Sequence, residues 1–269
     1  MITVSVIIAT LNEAPDLEKC LASIREQDYE QNKIEILVAD GGSIDNTAGI
    51  IKKYHGKFIP EKTGSPESAK AIALQQTTGK FILMVDSDNI FPDKNWLKTM
   101  VNVLEKEPEA IAVYPWQYAY RKSDSLLNRY LALIGINDPI PWFLGKADRQ
   151  SYLSDKWILS GKAINKGNYF LVQFNTKNAP TLGANGFLIK KKILMKAKVD
   201  PHHFYHIDIN MDLIKLGYTK YAVVKNNIIH TGGDNLFTYL KKKNTTWIYF
   251  IYGKTKIGAI LFTMVTMTY

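Results

Sequence analysis

The chain has 269 residues, 46% of them hydrophobic and 22% charged, with a formal net charge of +9. That composition excludes a disordered polymer and a wholly membrane-embedded protein, and it suits one extended α/β domain or two intimate halves. A single cysteine excludes a disulfide framework, while the basic balance favours an anionic partner; the lysines scatter and form no recognised nucleic-acid module, so nucleic acid is not expected.

In chain order, Val4 to Ala9 is an apolar strand that ends in Thr10-Leu11-Asn12-Glu13, with no signal-peptide pattern before it. A helix follows at once: Pro15 and Asp16 suit its first turn, and Leu17, Cys20, Leu21 and Ile24 recur at three- and four-residue spacing. Cys20 lies on that apolar face and reads as a buried structural thiol, not a nucleophile. The next strand, Ile34 to Asp40, closes on an acid followed by Gly41-Gly42-Ser43, and Asp45-Asn46-Thr47 opens a second helix. A third helix is predicted from Ser65 to Gln76, with Gly79 as its stop. This order implies a parallel sheet with right-handed crossovers.

The most telling stretch is Phe81 to Asn89, a continuous apolar run that ends in Asp86-Ser87-Asp88. Such a run suits an inner strand covered on both faces, and the carboxyl end of a strand is where open α/β sheets bind ligands. Two carboxylates there suggest a hard divalent cation, magnesium or manganese, held together with substrate phosphate oxygens. The tripeptide alone is weak, because Asp-x-Asp is often a turn or a helix cap.

Taken in order, Ala9 to Glu13, Asp40 to Ser43 and Asp86 to Asp88 resemble the nucleotide-binding half of the inverting family 2 glycosyltransferases with the GT-A fold, and the likeness covers roughly the first half of the chain. The resemblance implies an α/β, Rossmann-like, mostly parallel central sheet flanked by helices, with an acceptor subregion and tail toward the carboxyl end. It implies that Asp40 recognises the nucleoside of a UDP- or GDP-sugar, and that Asp86 and Asp88 contact the ribose and the metal bridging the diphosphate. Thr10, Asn12, Glu13 and Ser87 fall among the donor contacts. Where the family commonly carries Arg-Asn, this chain reads Ala69-Lys70-Ala71; Lys70 either neutralises phosphate as a point charge or is a solvated helix lysine.

After Tyr114-Pro115-Trp116 the strand-helix rhythm gives way to an irregular, aromatic region, so residues 1–116 read as a nucleotide-sugar half and 117–235 as an acceptor half. Ser125 to Ile136 has helical periodicity, Asp138 reads as a turn acid, and Trp142 with Phe143 forms either an acceptor wall or a lid anchor. Thr181 to Lys190 resembles the family's glycine-bearing strand below the acceptor, where Asn185 offers a hydrogen bond to a sugar hydroxyl. Where family members show Glu-Asp near a late helix start, this chain has Tyr205-His206, with Asp208 two places on. An inverting transfer needs a general base, and the candidates are Asp208, at a helix start whose dipole favours negative charge, and then His206. A helix cap is the plain alternative for Asp208, and Asp212, one turn on, suits solvent or a lysine. His230 closes a strand from Tyr221 in the position where several metal-dependent GT-A enzymes complete the cation site, so it is a metal or diphosphate ligand or else a satisfied strand-end histidine.

Residues 236–269 form a basic, aromatic, apolar tail: Lys241-Lys242-Lys243, then Trp247 to Tyr252, then an apolar run from Ile257 to Tyr269 that is short for a bilayer span. It suits the cytoplasmic face of a membrane and a lipid-linked acceptor, or else a terminal helix packed on the domain. Two rival readings are a sugar nucleotidyltransferase, whose glycine-rich phosphate loop is missing at Thr10 to Glu13, and a non-catalytic membrane-associated scaffold, favoured by the absent Glu-Asp pair.

Overall fold

The apolar runs of the first half all become strands, and their order in space explains why three acid-bearing motifs meet. The structure, a computed structural model, describes residues 1, 3–136, 139–232, 235–237, 239 and 240. The first half comprises β1 (Val4–Thr10), α1 (Ala14–Arg25), β2 (Ile34–Asp40), α2 (Thr47–Lys53), β3 (Lys57–Pro60), α3 (Pro66–Gln75), β4 (Phe81–Asp86), β5 (Asn89–Ile90), α4 (Trp96–Lys106) and β6 (Ala112–Tyr118). The second comprises α5 (Leu126–Ile134), α6 (Pro139–Phe143), β7 (Lys162–Asn165), β8 (Tyr169–Gln173), β9 (Phe187–Lys190), α7 (Lys191–Leu194), α8 (His206–Lys215) and β10 (Lys220–His230).

The sheet order is β3-β2-β1-β4-β9-β6-β10-β8-β7, with β5 paired to β10. The first four strands of that order are parallel, as the helix-strand alternation predicts. Their register sets Thr10 opposite Asp40 and Ala9 opposite Asp86, so the ends of β1, β2 and β4 share one edge. β9, from the second half, lies antiparallel between β4 and β6, and a single sheet therefore runs through both halves. Sequence periodicity gave no sign of β3, β5 or α4.

Helices cover both faces. On one, α1, α2 and α4 bury Leu17, Ile51, Leu97 and Leu104; on the other, α3 and α8 bury Ala73, Leu74, Ile209 and Leu213. Leu17, Leu21 and Ile24 of α1 have no exposed surface, at about 1.5–3 kcal/mol of transfer free energy each. Cys20 is buried beside them, its Sγ 3.8 Å from the main-chain oxygen of Asp86. Burial, then the charges of Asp88 and Asp86, push its thiol pKa far up, in keeping with the structural role read from the sequence.

Candidate active site

The edge where β1, β2 and β4 end opens into a cleft of about 290 Å³. Its walls include Thr10, Leu11 and Glu13 after β1, Gly41 after β2, Gly64 to Pro66 at the start of α3, and Asp86, Ser87, Asp88 and His230. The Thr10 hydroxyl is buried in this wall with no hydrogen-bond partner among the described residues. A buried hydroxyl left so is costly unless something else bonds it.

The loops around the cleft hold one another. Asn12 takes a left-handed backbone, φ 53°; its N–H donates to Ser43 Oγ at 2.8 Å, and its Oδ1 accepts from the Ile44 N–H at 2.9 Å. Asp40 is only 4% exposed and accepts from both the N–H and the hydroxyl of Ser43. Ser87 donates its hydroxyl to Glu13, tying the first loop to the acidic turn. Asn12 and Asp40 are thus beside the cleft, their side chains engaged in loop contacts, whereas Thr10, Glu13 and Ser87 face it.

Lys70 is brought to the acidic turn by α3. Its Nζ lies 2.8 Å from Asp86 Oδ1 and the residue is buried, so it is not a solvated helix lysine. Burial alone would lower the Lys70 pKa, but the charge and hydrogen bond of Asp86 outweigh it and the pKa stands above its ordinary value. Asp86 mirrors this: burial opposes its charge, yet Lys70 holds the carboxyl below the usual range. Asp88 instead meets His230, with Oδ2 and Nε2 3.6 Å apart. The strand pair of His230 with Asn89 fixes that approach, together with the Thr231 N–H and hydroxyl, both 3.2 Å from the Asp88 main-chain oxygen.

The donor set at this point fits magnesium or manganese. A carboxylate and an imidazole face one cleft, and these ions commonly accept one or two protein ligands and complete their shell with diphosphate and water oxygens. No group of three or more candidate ligands occurs among the described residues; Asp88 and His230 face one another at 3.6 Å, with Asp86 turned to Lys70.

Behind the turn lies a network that sequence reading missed. Asn89 accepts from the Asp86 N–H at 3.0 Å and donates to Asn185 Oδ1 at 3.0 Å, and Asn185 donates to Tyr118 Oη at 3.2 Å. Tyr118 in turn packs on His230, ring centroids 5.4 Å apart. Arg149, 1% exposed, donates to the Ala184 and Asn185 carbonyls and pairs with Asp148 at 2.6 Å. Asn185 was expected to reach a sugar hydroxyl; it is 4% exposed and its amide is committed to this network. Only long-range pairing reveals these roles, and no local pattern carries them.

α8 delivers His206 and Asp208. Gly183, at φ 117°, lets the helix start come in, since a Cβ there would stand 2.7 Å from His206 Cβ. Asn210 locks the approach by donating to the His206 and Leu182 carbonyls. Burial, then the Lys70 charge, push the His206 pKa down to about 4, with Asp86 opposing. The imidazole is therefore neutral at pH 7 and lies within the field of the Lys70–Asp86 pair. Asp208 is on the first turn of α8 and partly buried, and neither it nor His206 is in the cleft wall. Asp212 stands 4.0 Å from Lys215. Trp142 and Phe143, on α6, are 54% and 81% exposed and are not in the cleft wall. Asp138 and the tail from Lys241 onward lie outside the described residues.

The model of the family described as "Glycosyl transferase family 2" matches residues 5–175. The chain belongs to glycosyl transferase family 2. Among curated relatives, "Poly(ribitol-phosphate) beta-N-acetylglucosaminyltransferase TarS" of Staphylococcus aureus (strain Mu50 / ATCC 700699) is 34% identical over 36% of this chain and 18% of its own length. "Glycosyltransferase GlyA" of Streptococcus pneumoniae serotype 4 is 25% identical over 73% of this chain and 29% of its own. The chain thus spans well under half the length of these relatives. The fold is shared with Staphylococcus aureus TarS 1–349 in complex with UDP-GlcNAc, at TM-score 0.61 and 15% identity over 96% of this chain and 69% of that one. It is shared too with the mannosyltransferase PcManGT of Pyrobaculum calidifontis in complex with GDP-Man and Mn2+, at TM-score 0.54 and 18% identity over 86% and 57%. The α/β, GT-A-like architecture expected from the motifs is the one observed, as a mixed sheet in which β3, β2, β1 and β4 are parallel.

Proposed function

We propose that the chain transfers a sugar from a nucleoside-diphosphate sugar to a hydroxyl of a glycan or lipid-linked acceptor, with inversion and with a divalent cation. The observation that carries this reading is the meeting of the β1, β2 and β4 ends at one cleft that holds the Lys70–Asp86 ion pair and, beside it, the Asp88 carboxylate facing His230. A UDP-sugar donor draws support from the fold shared with TarS bound to UDP-GlcNAc, and GDP-sugar is the other candidate.

In this reading the first half binds donor and the second half binds acceptor. Thr10 and Glu13 face the nucleoside and ribose, with Asp40 and Asn12 beside them shaping the loops, and Lys70 holds Asp86 ionised at the diphosphate end. A cation held by Asp88 and His230 would neutralise charge developing on the leaving diphosphate. The acceptor oxygen bonds to the anomeric carbon as the carbon–oxygen bond to diphosphate breaks, and the acceptor proton passes to a base on α8. His206 is the candidate base that the fold holds most firmly: Gly183 admits it and Asn210 bonds its carbonyl, within the field of the donor-side pair. Asp208 is the alternative on the same turn.

Support for a glycan acceptor comes from a cluster of aromatic rings in the second half. Trp116 and Trp157 both pack on Phe170, at 5.3 and 5.5 Å between centroids, and their indole N–H groups and the Asn226 amide have no partner among the described residues. The basic, aromatic segment 241–269 supports a site at the cytoplasmic face of a membrane; none of the described helices is long and apolar enough to cross one. Titration calorimetry with UDP-GlcNAc and GDP-mannose, with and without manganese, tests the central claim. Binding of either donor, strengthened by manganese and followed by turnover, supports it; no nucleotide binding leaves the non-catalytic scaffold as the surviving reading.

A further inference from the structure

Glu61, directly after β3, belongs to no motif read from the sequence, yet it is 4% exposed and collects more donors than any other carboxylate beside the cleft. Its Oε1 accepts from the Thr63 N–H at 2.8 Å, the Thr63 hydroxyl at 2.7 Å and the Ser68 hydroxyl at 3.0 Å, and its Oε2 accepts from the Gly64 N–H at 2.7 Å. Its own N–H donates to the Asp40 carbonyl at 2.8 Å, so this carboxylate hangs from the same strand end that carries Asp40. The residues it bonds, Thr63, Gly64 and Ser68, bracket Gly64, Ser65 and Pro66, which are one wall of the cleft, and Leu11 and Gly41 stand across from that wall. The two loops approach as closely as glycine permits: a Cβ on Gly41 would lie 3.1 Å from Gly64 Cα, and Gly64 itself is left-handed at φ 69°.

We propose that Glu61 is a positioning residue for the donor nucleoside: it touches no substrate, but its four accepted hydrogen bonds fix the Gly64–Ser65–Pro66 wall at the spacing a nucleotide needs. This rests on the donor reading of the cleft given above. A loop such as Lys62-Thr63-Gly64-Ser65, short, polar and with a glycine, would otherwise sample many conformations, and ordering it on binding would cost affinity. Hydrogen bonds to an ionised acceptor are the strong kind, and here they are shielded from water. Burial opposes the Glu61 charge, but those bonds outweigh it and hold the carboxyl below its usual pKa, so the clamp is charged at neutral pH.

The test uses the full chain and two readouts. The first is UDP affinity by calorimetry in manganese, together with KM and kcat for UDP-GlcNAc. The second, independent of nucleotide, is the rate of tryptic cleavage after the exposed Lys62, followed by mass spectrometry. Glu61→Ala should weaken UDP about tenfold or more, raise KM with kcat nearly kept, and speed cleavage at Lys62. Glu61→Gln, which keeps one acceptor oxygen and places an amide against the Gly64 N–H, should give a smaller shift in the same direction. If Glu61→Ala does not fold, Glu61→Gln and Thr63→Val decide, since each removes part of the clamp and keeps the volume. Wild-type UDP affinity in the folded variants, whatever happens at Lys62, overturns the proposal; a fall in melting temperature alone would mark a purely structural residue. Failure of the unaltered chain to bind either UDP or GDP would instead sink the donor reading itself, and the role of Glu61 with it; a chain that binds GDP alone is tested with GDP in place of UDP.

Discussion

Around the ends of β1, β2 and β4, nearly every polar side chain that approaches the cleft is engaged by another loop: Asn12 and Asp40 by Ser43, Glu13 by Ser87, Glu61 by Thr63, Gly64 and Ser68, and Asp86 by Lys70. Around β6, β8 and the segment from 150 to 160 the pattern reverses. There Trp116, Trp157, Ser160 and Asn226 bury polar atoms with no partner among the described residues, and Phe143, Leu153 and Ile158 expose apolar surface. A buried polar group without a partner costs about 1–3 kcal/mol; the first region, the Thr10 hydroxyl apart, meets its bonding capacity internally, whereas the second buries several polar atoms with no partner among the described residues. On the reading proposed above, in which the first region binds the nucleotide and the second the acceptor, rigidity belongs on the donor side and unspent polarity on the acceptor side.

The contrast is broken most sharply at Asp88. Asp88→Asn removes the charge that faces His230, and manganese-dependent UDP binding should be lost, with turnover down about a thousandfold, while the melting temperature stays within a few degrees. Manganese EPR and calorimetry check it, and unchanged manganese affinity would exclude Asp88 as a ligand. Next comes the base. His206→Asn should lower turnover about a hundredfold or more with UDP affinity kept, and Asp208→Asn should do less. The reverse ranking would return the role to Asp208. Because the folded His206 pKa is depressed to about 4, its neutral form persists in the folded chain well below pH 6.5. The unfolded chain therefore takes up this proton first, so wild-type stability should decline as pH falls from about 6.5 toward 4, and His206→Asn should flatten that part of a urea titration.

Lys70→Met sharpens the donor side. It strands the Asp86 carboxylate, and because that side chain is one-third exposed the loss should be about 1–3 kcal/mol by urea denaturation. The sign follows from both shifts. Lys70, raised, contributes below its ordinary pKa and is lost only as pH climbs through the raised value; Asp86, lowered, contributes above the usual carboxylate pKa and is lost only as pH falls through the depressed value. The pair should thus support the fold across the whole neutral range, and the variant's deficit should be flat between pH 6 and 8. The smallest effect is expected on the acceptor side. Asn226→Ala removes an amide with no partner among the described residues, so stability should change by less than about 1 kcal/mol in either direction, while KM for the acceptor rises. A large loss of stability would show that this amide is already satisfied and would erase the contrast.

The difference between the halves also decides what could be read from the sequence. β1, β2 and β4 were legible because an inner parallel strand is an unbroken apolar run, and their acids were legible because they follow such runs directly. β3 was missed because it is a four-residue edge strand with one buried side chain. Asn89, Arg149 and Glu61 were missed because each acts through partners distant in the chain or through main-chain atoms, which leave no spacing to recognise. Asn185 was noticed for a polar group that the fold spends internally, and Gly183 matters for the approach of His206 and not of a sugar. Lys70 was left open between phosphate contact and solvated lysine because helix periodicity cannot tell which side of α3 faces an acid sixteen residues later.

Cys20, the single thiol of the chain, sits with no exposed surface beneath the main-chain oxygen of Asp86. A thiol reagent can reach it only when α1 lifts from the acidic turn. Its alkylation rate in unmodified protein is therefore a built-in clock for the opening of that packing, readable by mass spectrometry without any introduced probe, and any ligand that binds only the closed form should slow that clock.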